Sequence, residues 1–211
     1  MKTKFLKLSL LALFVFTASC SSDDDNNTDE TPAVVVTTKA SNIYAPQTGG
    51  QGQPVGGDYT RFSFSQNKVV TDDSWDVAFR GTTVIVNGGA KVIADDAGEP
   101  ARKGQGALSI VSGTFAGVTA FPAANTFVQD AANALALPTG SGNGWYNYGS
   151  NNIISPLAGK VFVVKTHDGK YAKFEILSYY KDAPANPDPA TAVPRYYTFN
   201  FAYQANSTTT F

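Results

Sequence analysis

The sequence has very few of the side chains that most often bind metals or carry out catalysis. Its 211 residues include one Cys, one His and one Met. A single cysteine excludes an intrachain disulfide. A single histidine, His167, excludes a His-rich metal site, and no Ser-His-Asp or Cys-His set can be recognised around it. His167 directly precedes Asp168-Gly169, so we expect it to be an exposed turn residue. We therefore expect a protein that is not an enzyme.

Carboxylate side chains do not supply an obvious metal site either. Asp95 and Asp96 share a polar loop at residues 92–106, where carboxylates could hold calcium. Their spacing is not that of an EF-hand, and we favour an ordinary solvated loop. The sequence therefore assigns no metal ligand.

The sequence also lacks an excess of charge of either sign. It has 16 Lys and Arg residues against 17 Asp and Glu residues, which gives a formal net charge of -1 at pH 7. Nothing in this balance indicates a nucleic-acid partner. The charges are unevenly placed, however, because Lys2, Lys4 and Lys7 lie near the start and an acidic run follows residue 20. This pattern separates an N-terminal segment from a nearly neutral body.

A long hydrophobic run is missing as well. The apolar run near the start covers only residues 8–16, which is too short for a comfortable transmembrane helix. Its basic start, with Ala18 and Ser19 before Cys20, predicts a lipoprotein signal peptide at residues 1–19. The T-A-S-C sequence resembles a bacterial lipobox, although Thr17 replaces the usual Leu. This implies lipidation of Cys20 and a membrane anchor made of acyl chains. The alternative is a soluble secreted protein that is cut nearby.

Residues 20–32 form an acidic stretch that is poor in apolar side chains, which predicts a disordered tether. Within it, Ser22, Asp23, Asp24 and Asp25 resemble the export signal of Bacteroidota surface lipoproteins. The alternative is a merely solvated linker. The export interpretation predicts a lipid-anchored protein of the outer membrane that faces the cell exterior.

The remaining residues, 33–211, are predicted to form a single β domain organised around a hairpin at residues 159–180. Asp168-Gly169 predicts a two-residue type I′ turn, because Gly and Asp tolerate the positive φ angles that this turn requires. After the turn, Phe174 and other apolar side chains alternate with Lys173 and other charged ones. This alternation predicts a strand with one buried and one exposed face.

Other stretches rich in β-branched and aromatic residues can supply the strands that a hairpin needs beside it. In one of them, Trp75, Val77 and Phe79 are expected to share one face. The predicted strand regions are residues 33–38, 59–70, 75–87, 107–115 and 195–204.

One helix is predicted, at residues 125–137. Thr126 and Gln129 have the spacing of a capping box, and Pro138 with Gly140 would end the element. Several short strands, turns between them and one short helix predict an all-β fold of antiparallel sheets.

Four motifs of the body carry a resemblance to a known family. They are residues 62–64 with 68–70, WDVAFR at 75–80, residues 161–164 with GKYAK at 169–173, and the Tyr-Tyr-Thr-Phe strand at 196–199. Together they resemble the HmuY-like family, over roughly residues 33–204. The family consists of lipidated, all-β haem-binding proteins of Bacteroidota. The resemblance therefore implies capture of haem or a related tetrapyrrole, and transfer to an outer-membrane receptor.

The iron ligands of the family do not carry over to this sequence. The best-known member uses two His side chains, and some relatives use two Met. One ligand comes from the loop after a Trp that resembles Trp145, where this sequence offers only Tyr146 and Tyr148. The other comes from an upstream hairpin, and residues 116–140 contain neither His nor Met. The resemblance thus implies a haem pocket at Tyr146 and Tyr148, with Trp145 as a wall, without bis-His or bis-Met ligation. The alternative is a module that binds another small hydrophobic ligand, a glycan, a peptide or a protein on the same scaffold.

Overall fold

The computed structural model describes residues 35–206 and 208–211. The predicted signal peptide, the tether and Cys20 lie outside these residues, as do the first two residues of the predicted domain. Within the described part of the chain, no helix is long and apolar enough to span a membrane.

The secondary structure of these residues is almost entirely β, which confirms the predicted fold class. The strands are β1 Thr37–Tyr44, β2 Thr48–Gly50, β3 Gln53–Gly56, β4 Thr60–Ser63, β5 Lys68–Val70, β6 Val77–Arg80, β7 Thr83–Val86, β8 Ala107–Ser112, β9 Tyr146–Tyr148, β10 Ile154–Pro156, β11 Lys160–Lys165, β12 Tyr171–Tyr180 and β13 Pro194–Gln204.

The largest sheet has five antiparallel strands in the order β1-β13-β12-β11-β8. The predicted β11–β12 hairpin lies within it, but its turn differs from the prediction. The Thr166 N–H donates to the Lys170 carbonyl at 2.8 Å, and the Gly169 N–H donates back to Thr166 at 3.1 Å. Gly169 has φ +84°, whereas Asp168 is not in the positive-φ region. The loop therefore has three residues with Gly in the left-handed position, and the type I′ prediction is wrong.

A four-stranded sheet in the order β5-β4-β6-β7 packs face to face on the larger one. The interface is aromatic: Phe62 contacts Phe199 with ring centroids 5.2 Å apart, and Phe79 lies 4.6 Å from Tyr197. Phe174 is fully buried in the same cluster. Because these rings come from both sheets, the core lies between two layers in a β-sandwich.

The outer face of the five-stranded sheet is covered too, contrary to the expectation of an exposed face. Val161 and Val163 pack there against Phe115. Lys173, predicted to face solvent, is only 5% exposed. Its Nζ donates to the carbonyl oxygens of Phe115 (2.8 Å) and Val118 (2.7 Å). Burial lowers the pKa of Lys173. The strand alternates as predicted, but a loop replaces solvent on its second face.

The predicted helix at residues 125–137 is wrong. The only helical residues described there form a single 3-10 turn, Ala124–Thr126. Val128 instead exchanges two backbone hydrogen bonds with Leu108, at 2.8 and 2.9 Å. The backbone N–H and C=O groups of Val128 therefore bond to the edge strand β8 and not to neighbours within a helix.

Alternation also fails before β6, where Trp75 was expected to share a face with Val77 and Phe79. Trp75 packs instead with Ala78 and Ile85 on the opposite side of the small sheet. The strand begins only at Val77, so the period of two does not extend back to Trp75.

Candidate functional site

The short β9–β10 hairpin carries the side chains that the sequence analysis placed at the site. Tyr148 pairs with Ile154 at the end of β9. Its ring is 54% exposed, and its phenol donates to Asn152 Oδ1 at 2.7 Å. Tyr148 is therefore an accessible phenol on a fixed hairpin.

Trp145 and Tyr146 lie at a different depth from Tyr148. Trp145 is only 1% exposed. Its Nε1 donates to the Thr82 carbonyl at 2.9 Å, and its ring lies 5.1 Å from that of Tyr197. Tyr146 is buried in the same core cluster. These two rings support the hairpin from below, so within the predicted trio only Tyr148 faces solvent.

A cavity of about 360 Å³ opens beside Tyr148. It lies between the β9–β10 hairpin and the Pro-rich connection, which we define as residues 181–193 between β12 and β13. The Tyr180 phenol accepts a hydrogen bond from the Ile154 N–H at 2.9 Å, which fixes one wall. The lining residues are Gln51, Tyr148, Asn152, Ile153, Ile154, Tyr179, Tyr180, Pro189, Ala192, Pro194 and Arg195.

Arg195 supplies the charge in this cavity. It is the only lining residue with a formal charge. Its Nη1 donates to the Gln47 carbonyl at 2.8 Å, and its own carbonyl accepts the Ala45 N–H at 2.8 Å. Burial raises the pKa of the neighbouring Tyr179 well above its ordinary value of 10.0, and the positive charge of Arg195 opposes that shift. Arg195 thus gives a cavity of otherwise uncharged residues, three of them tyrosines, a positive potential.

Sequence reasoning missed Arg195, Tyr179 and Tyr180 as site residues. Tyr179 and Tyr180 were visible only as two of many aromatic side chains. A partial signal was available for Arg195, because it directly follows a Pro-rich stretch and begins a strand. Its position beside Tyr148 depends on the pairing of distant strands, which the local sequence does not specify.

His167 lies at the other end of the β11–β12 hairpin and outside this cavity. Its Nδ1 is 2.8 Å from Asp76 Oδ1, and its backbone N–H donates to the same oxygen at 3.0 Å. The imidazole is half-buried, so the prediction of an exposed turn residue is wrong. The hydrogen bond to Asp76 raises the pKa of His167 above its ordinary value of 6.5. Asp76 is buried and needs donors, which the turn supplies.

A larger cavity, of about 490 Å³, lies between β4, β5 and residues 97–101. Asp58, Asp73 and Arg61 contribute to its lining, together with Val69 and the edge of the buried Tyr59. Its charged, mixed walls suit a flat aromatic ligand less well than the tyrosines around Tyr148 do. We therefore take the Tyr148 cavity as the candidate site.

The described part of the chain contains no metal centre built from protein carboxylates. Among residues 35–206 and 208–211, no group of three or more His, Cys, Asp or Glu side chains is placed to hold a metal ion. Asp96 of the polar loop instead pairs with Arg80 at 2.5 Å. Its carboxylate is largely buried rather than solvated.

Comparison with known proteins gives one family match. The sequence model of the HmuY protein family matches residues 57–201. No curated protein matches the chain.

Three solved structures are similar at low identity. One, from Bacteroides fragilis, is provisionally described as a lipoprotein; it is 14% identical, with 81% of this chain and 89% of that chain covered and a TM-score of 0.47. A second, from Bacteroides vulgatus, is provisionally described as an HmuY-like haem-binding protein; it is 15% identical, with coverages of 82% and 93% and a TM-score of 0.45. The third is an apo HmuY analogue from Tannerella forsythia, 12% identical, with coverages of 84% and 100% and a TM-score of 0.38.

Proposed function

Because this chain belongs to the HmuY family, we propose that it is a binding protein that captures haem or a related tetrapyrrole in the cavity beside Tyr148. The observation that carries the proposal is the cavity itself. Three tyrosines, Tyr148, Tyr179 and Tyr180, line it together with Ile154. Aromatic and aliphatic walls with a few polar groups are typical of small-molecule sites.

The donor set of the cavity fits a haem that is bound through oxygen. Tyr phenolate is an established ligand of haem iron in proteins, and the Tyr148 phenol is the exposed one at this site. Its present partner, Asn152 Oδ1, is an exchangeable side-chain acceptor. The volume of about 360 Å³ is at the low end for small-molecule sites, roughly 300–1,000 Å³. A tetrapyrrole would therefore be enclosed along one edge, with the rest of its surface open to a receptor.

Bis-His and bis-Met ligation have no support in this chain. The sequence has one His and one Met, and Met1 belongs to the predicted signal peptide. The only histidine, His167, is hydrogen-bonded to Asp76. It lies near the opposite end of the ten-residue strand β12 from Tyr180, a separation of roughly 30 Å. We infer that Tyr148 is the side chain nearest the iron.

The test is a haemin titration of the purified domain followed by absorption spectroscopy. We expect a Soret shift of the five-coordinate type in the wild-type protein. The Tyr148→Phe substitution removes only the phenol oxygen and should shift this spectrum and weaken binding.

Tyr171→Phe is the matched control, because Tyr171 lies at the other end of β12 and should leave the spectrum unchanged. If Tyr148→Phe binds haemin with the wild-type spectrum, the assignment of Tyr148 is wrong. If the wild-type protein does not bind haemin at all, the haem proposal is wrong, and the alternative is a protein that binds another ligand on the same scaffold.

We also propose that the protein is a lipoprotein of the outer membrane that faces the cell exterior and passes its ligand to a membrane receptor. The motivation is the T-A-S-C sequence at Cys20 followed by Ser22 and Asp23 to Asp25. Cys20→Ala should release the protein from membranes. Continued membrane association of that variant would contradict lipid anchoring. Replacing the three Asp residues with Ala should keep the anchor but remove protease accessibility on whole cells.

A further inference from the structure

Arg195 combines a conformation, a position and a charge that the rest of the cavity does not explain. The residue has φ +71°, in the left-handed region that non-glycine residues seldom adopt. Its carbonyl is held by the Ala45 N–H, so the pairing of β1 with β13 keeps it there. Positions of this kind cluster at ligand-binding sites.

The guanidinium has more N–H donors than its neighbours use, even with a hydrogen bond to the Tyr179 phenol. An arginine side chain has five N–H donors, and the Gln47 carbonyl accepts one of them at 2.8 Å. Within the described residues, no Asp or Glu forms a salt bridge with Arg195. Arg80 and Arg102 each pair with a carboxylate, whereas Arg61 donates to the Asp72 carbonyl. Among the described residues, Arg195 is therefore a cation that lines the cavity without a carboxylate at salt-bridge distance, so its remaining donors can serve solvent or a ligand.

We infer that Arg195 recognises a carboxylate of the bound ligand, and that the site thereby selects tetrapyrroles with free acidic side chains. The inference rests on the proposed function, and it adds the group that determines specificity. A carboxylate fits the planar fork of a guanidinium through two parallel hydrogen bonds. The Tyr179 and Tyr180 rings would contact the apolar part of the same ligand beside that pair.

The experiment compares one ligand in two charge states. Haemin carries free propionates, and haemin dimethyl ester has the same ring and iron without them. Affinities of both are measured for the wild-type protein, Arg195→Gln and Arg195→Lys. Arg61→Gln is the matched control, because Arg61 is bonded to the Asp72 carbonyl on the small sheet.

We expect Arg195→Gln to weaken haemin binding by about 10- to 100-fold, the effect of losing a hydrogen bond to a charged group. The ester should bind the wild-type protein and Arg195→Gln equally. Arg195→Lys should recover only part of the loss, because an ammonium lacks the fork. The metal-free porphyrin should show the same dependence on Arg195, which separates carboxylate recognition from iron ligation.

The outcomes are distinguishable. An equal loss for haemin and its ester would mean that Arg195 only supports the fold through Gln47, and would overturn the inference while leaving haem binding intact. An unchanged haemin affinity in Arg195→Gln would overturn it in the same way. Failure of the wild-type protein to bind haemin, its ester or the metal-free porphyrin would overturn both proposals. Circular dichroism of each variant identifies any that fails to fold.

Discussion

The polar side chains at the two ends of the five-stranded sheet differ in how fully they are paired within the protein. At the end near the β11–β12 turn, which we call the closed end, the buried carboxylate of Asp76 accepts hydrogen bonds from Phe64 and His167. Beside it, Arg102 bridges Glu99 at 2.7 Å and Asp130 at 3.0 Å. The end near Tyr148, which we call the open end, instead has an exposed phenol and an arginine without a carboxylate partner.

The comparison distinguishes polar side chains that are used up in holding the fold together from those that can still bind a ligand. Each carboxylate of the closed end is paired or accepts backbone N–H groups, so it ties loops together and has little left to offer. The Trp75 indole N–H at this end is, by contrast, a buried donor without an acceptor. At the open end, Arg195 and Tyr148 keep capacity that only solvent or a ligand can use. The buried charges of the described residues therefore do not mark the candidate site.

The largest expected effect comes from breaking the closed end. Arg102→Met leaves the buried carboxylates of Glu99 and Asp130 without their shared cation. Burial already raises the pKa of Asp130, despite Arg102 and two backbone N–H donors. We expect a loss of about 3–5 kcal/mol in the free energy of unfolding, measured by urea denaturation.

Lys103→Met is the neighbouring control. The Lys103–Asp73 pair is exposed on both sides, at 62% and 53%, and exposed pairs contribute about 0–1 kcal/mol. Similar losses in Arg102→Met and Lys103→Met would show that burial does not distinguish these ion pairs.

A smaller effect is expected for His167→Ala, which removes a donor from Asp76. We expect a loss of about 1–2 kcal/mol in the free energy of unfolding, near the lower end of the range for charged hydrogen bonds because the imidazole is partly exposed. Stability is measured by urea denaturation across a pH series.

The stability that His167 contributes should fall as the pH rises. The pKa of His167 is raised by Asp76 first, with Asp168 and Asp72 adding to the shift and burial opposing it. The folded state therefore holds the proton more tightly than the unfolded chain does. The added stability is present in full below pH 6.5 and is lost as the pH rises through the folded-state pKa. The difference between wild type and His167→Ala should shrink over that range, and a difference that grows with pH would contradict the assigned pair.

The smallest effect on stability is expected at the open end. Tyr148→Phe loses one exposed hydrogen bond to Asn152 and should change the free energy of unfolding by less than about 0.5 kcal/mol. Tyr197→Phe is the buried counterpart, because its phenol donates to the Gly81 carbonyl at 3.0 Å, and it should cost about 1 kcal/mol. A large loss from Tyr148→Phe would show that the hairpin, rather than the cavity, depends on that phenol.

Local sequence was sufficient to predict most strands because alternation and tight turns act over a few residues. It located the β11–β12 hairpin and the inward face of β13, where Tyr197, Phe199 and Phe201 are buried. It failed where a distant partner decides the outcome. Residues 125–137 have helical spacing, but Leu108 offers Val128 a strand to pair with, and Asp130 accepts the Ala136 N–H at 2.9 Å.

The candidate site was only partly predictable for the same reason. Tyr148 could be named because the loop after Trp145 offers few other side chains. Arg195 could not, since its direction is fixed by Ala45 and Gln47, about 150 residues earlier in the chain. His167 was misplaced because the acceptor that buries it, Asp76, belongs to a different sheet region.

The position of β13 between β1 and β12 has a consequence for the time at which this chain can fold. Thr37 at the start of β1 pairs with Ala202, and Tyr44 at its end pairs with Tyr196. A growing chain that has not yet reached Pro194 therefore has no partner for β1 and leaves one side of β12 unpaired. The β11–β12 hairpin can form early because its contacts are local, but the sheet must wait for the last strand. Synthesis through Gln204 thus precedes completion of the five-stranded sheet, which makes this sheet a late product of folding.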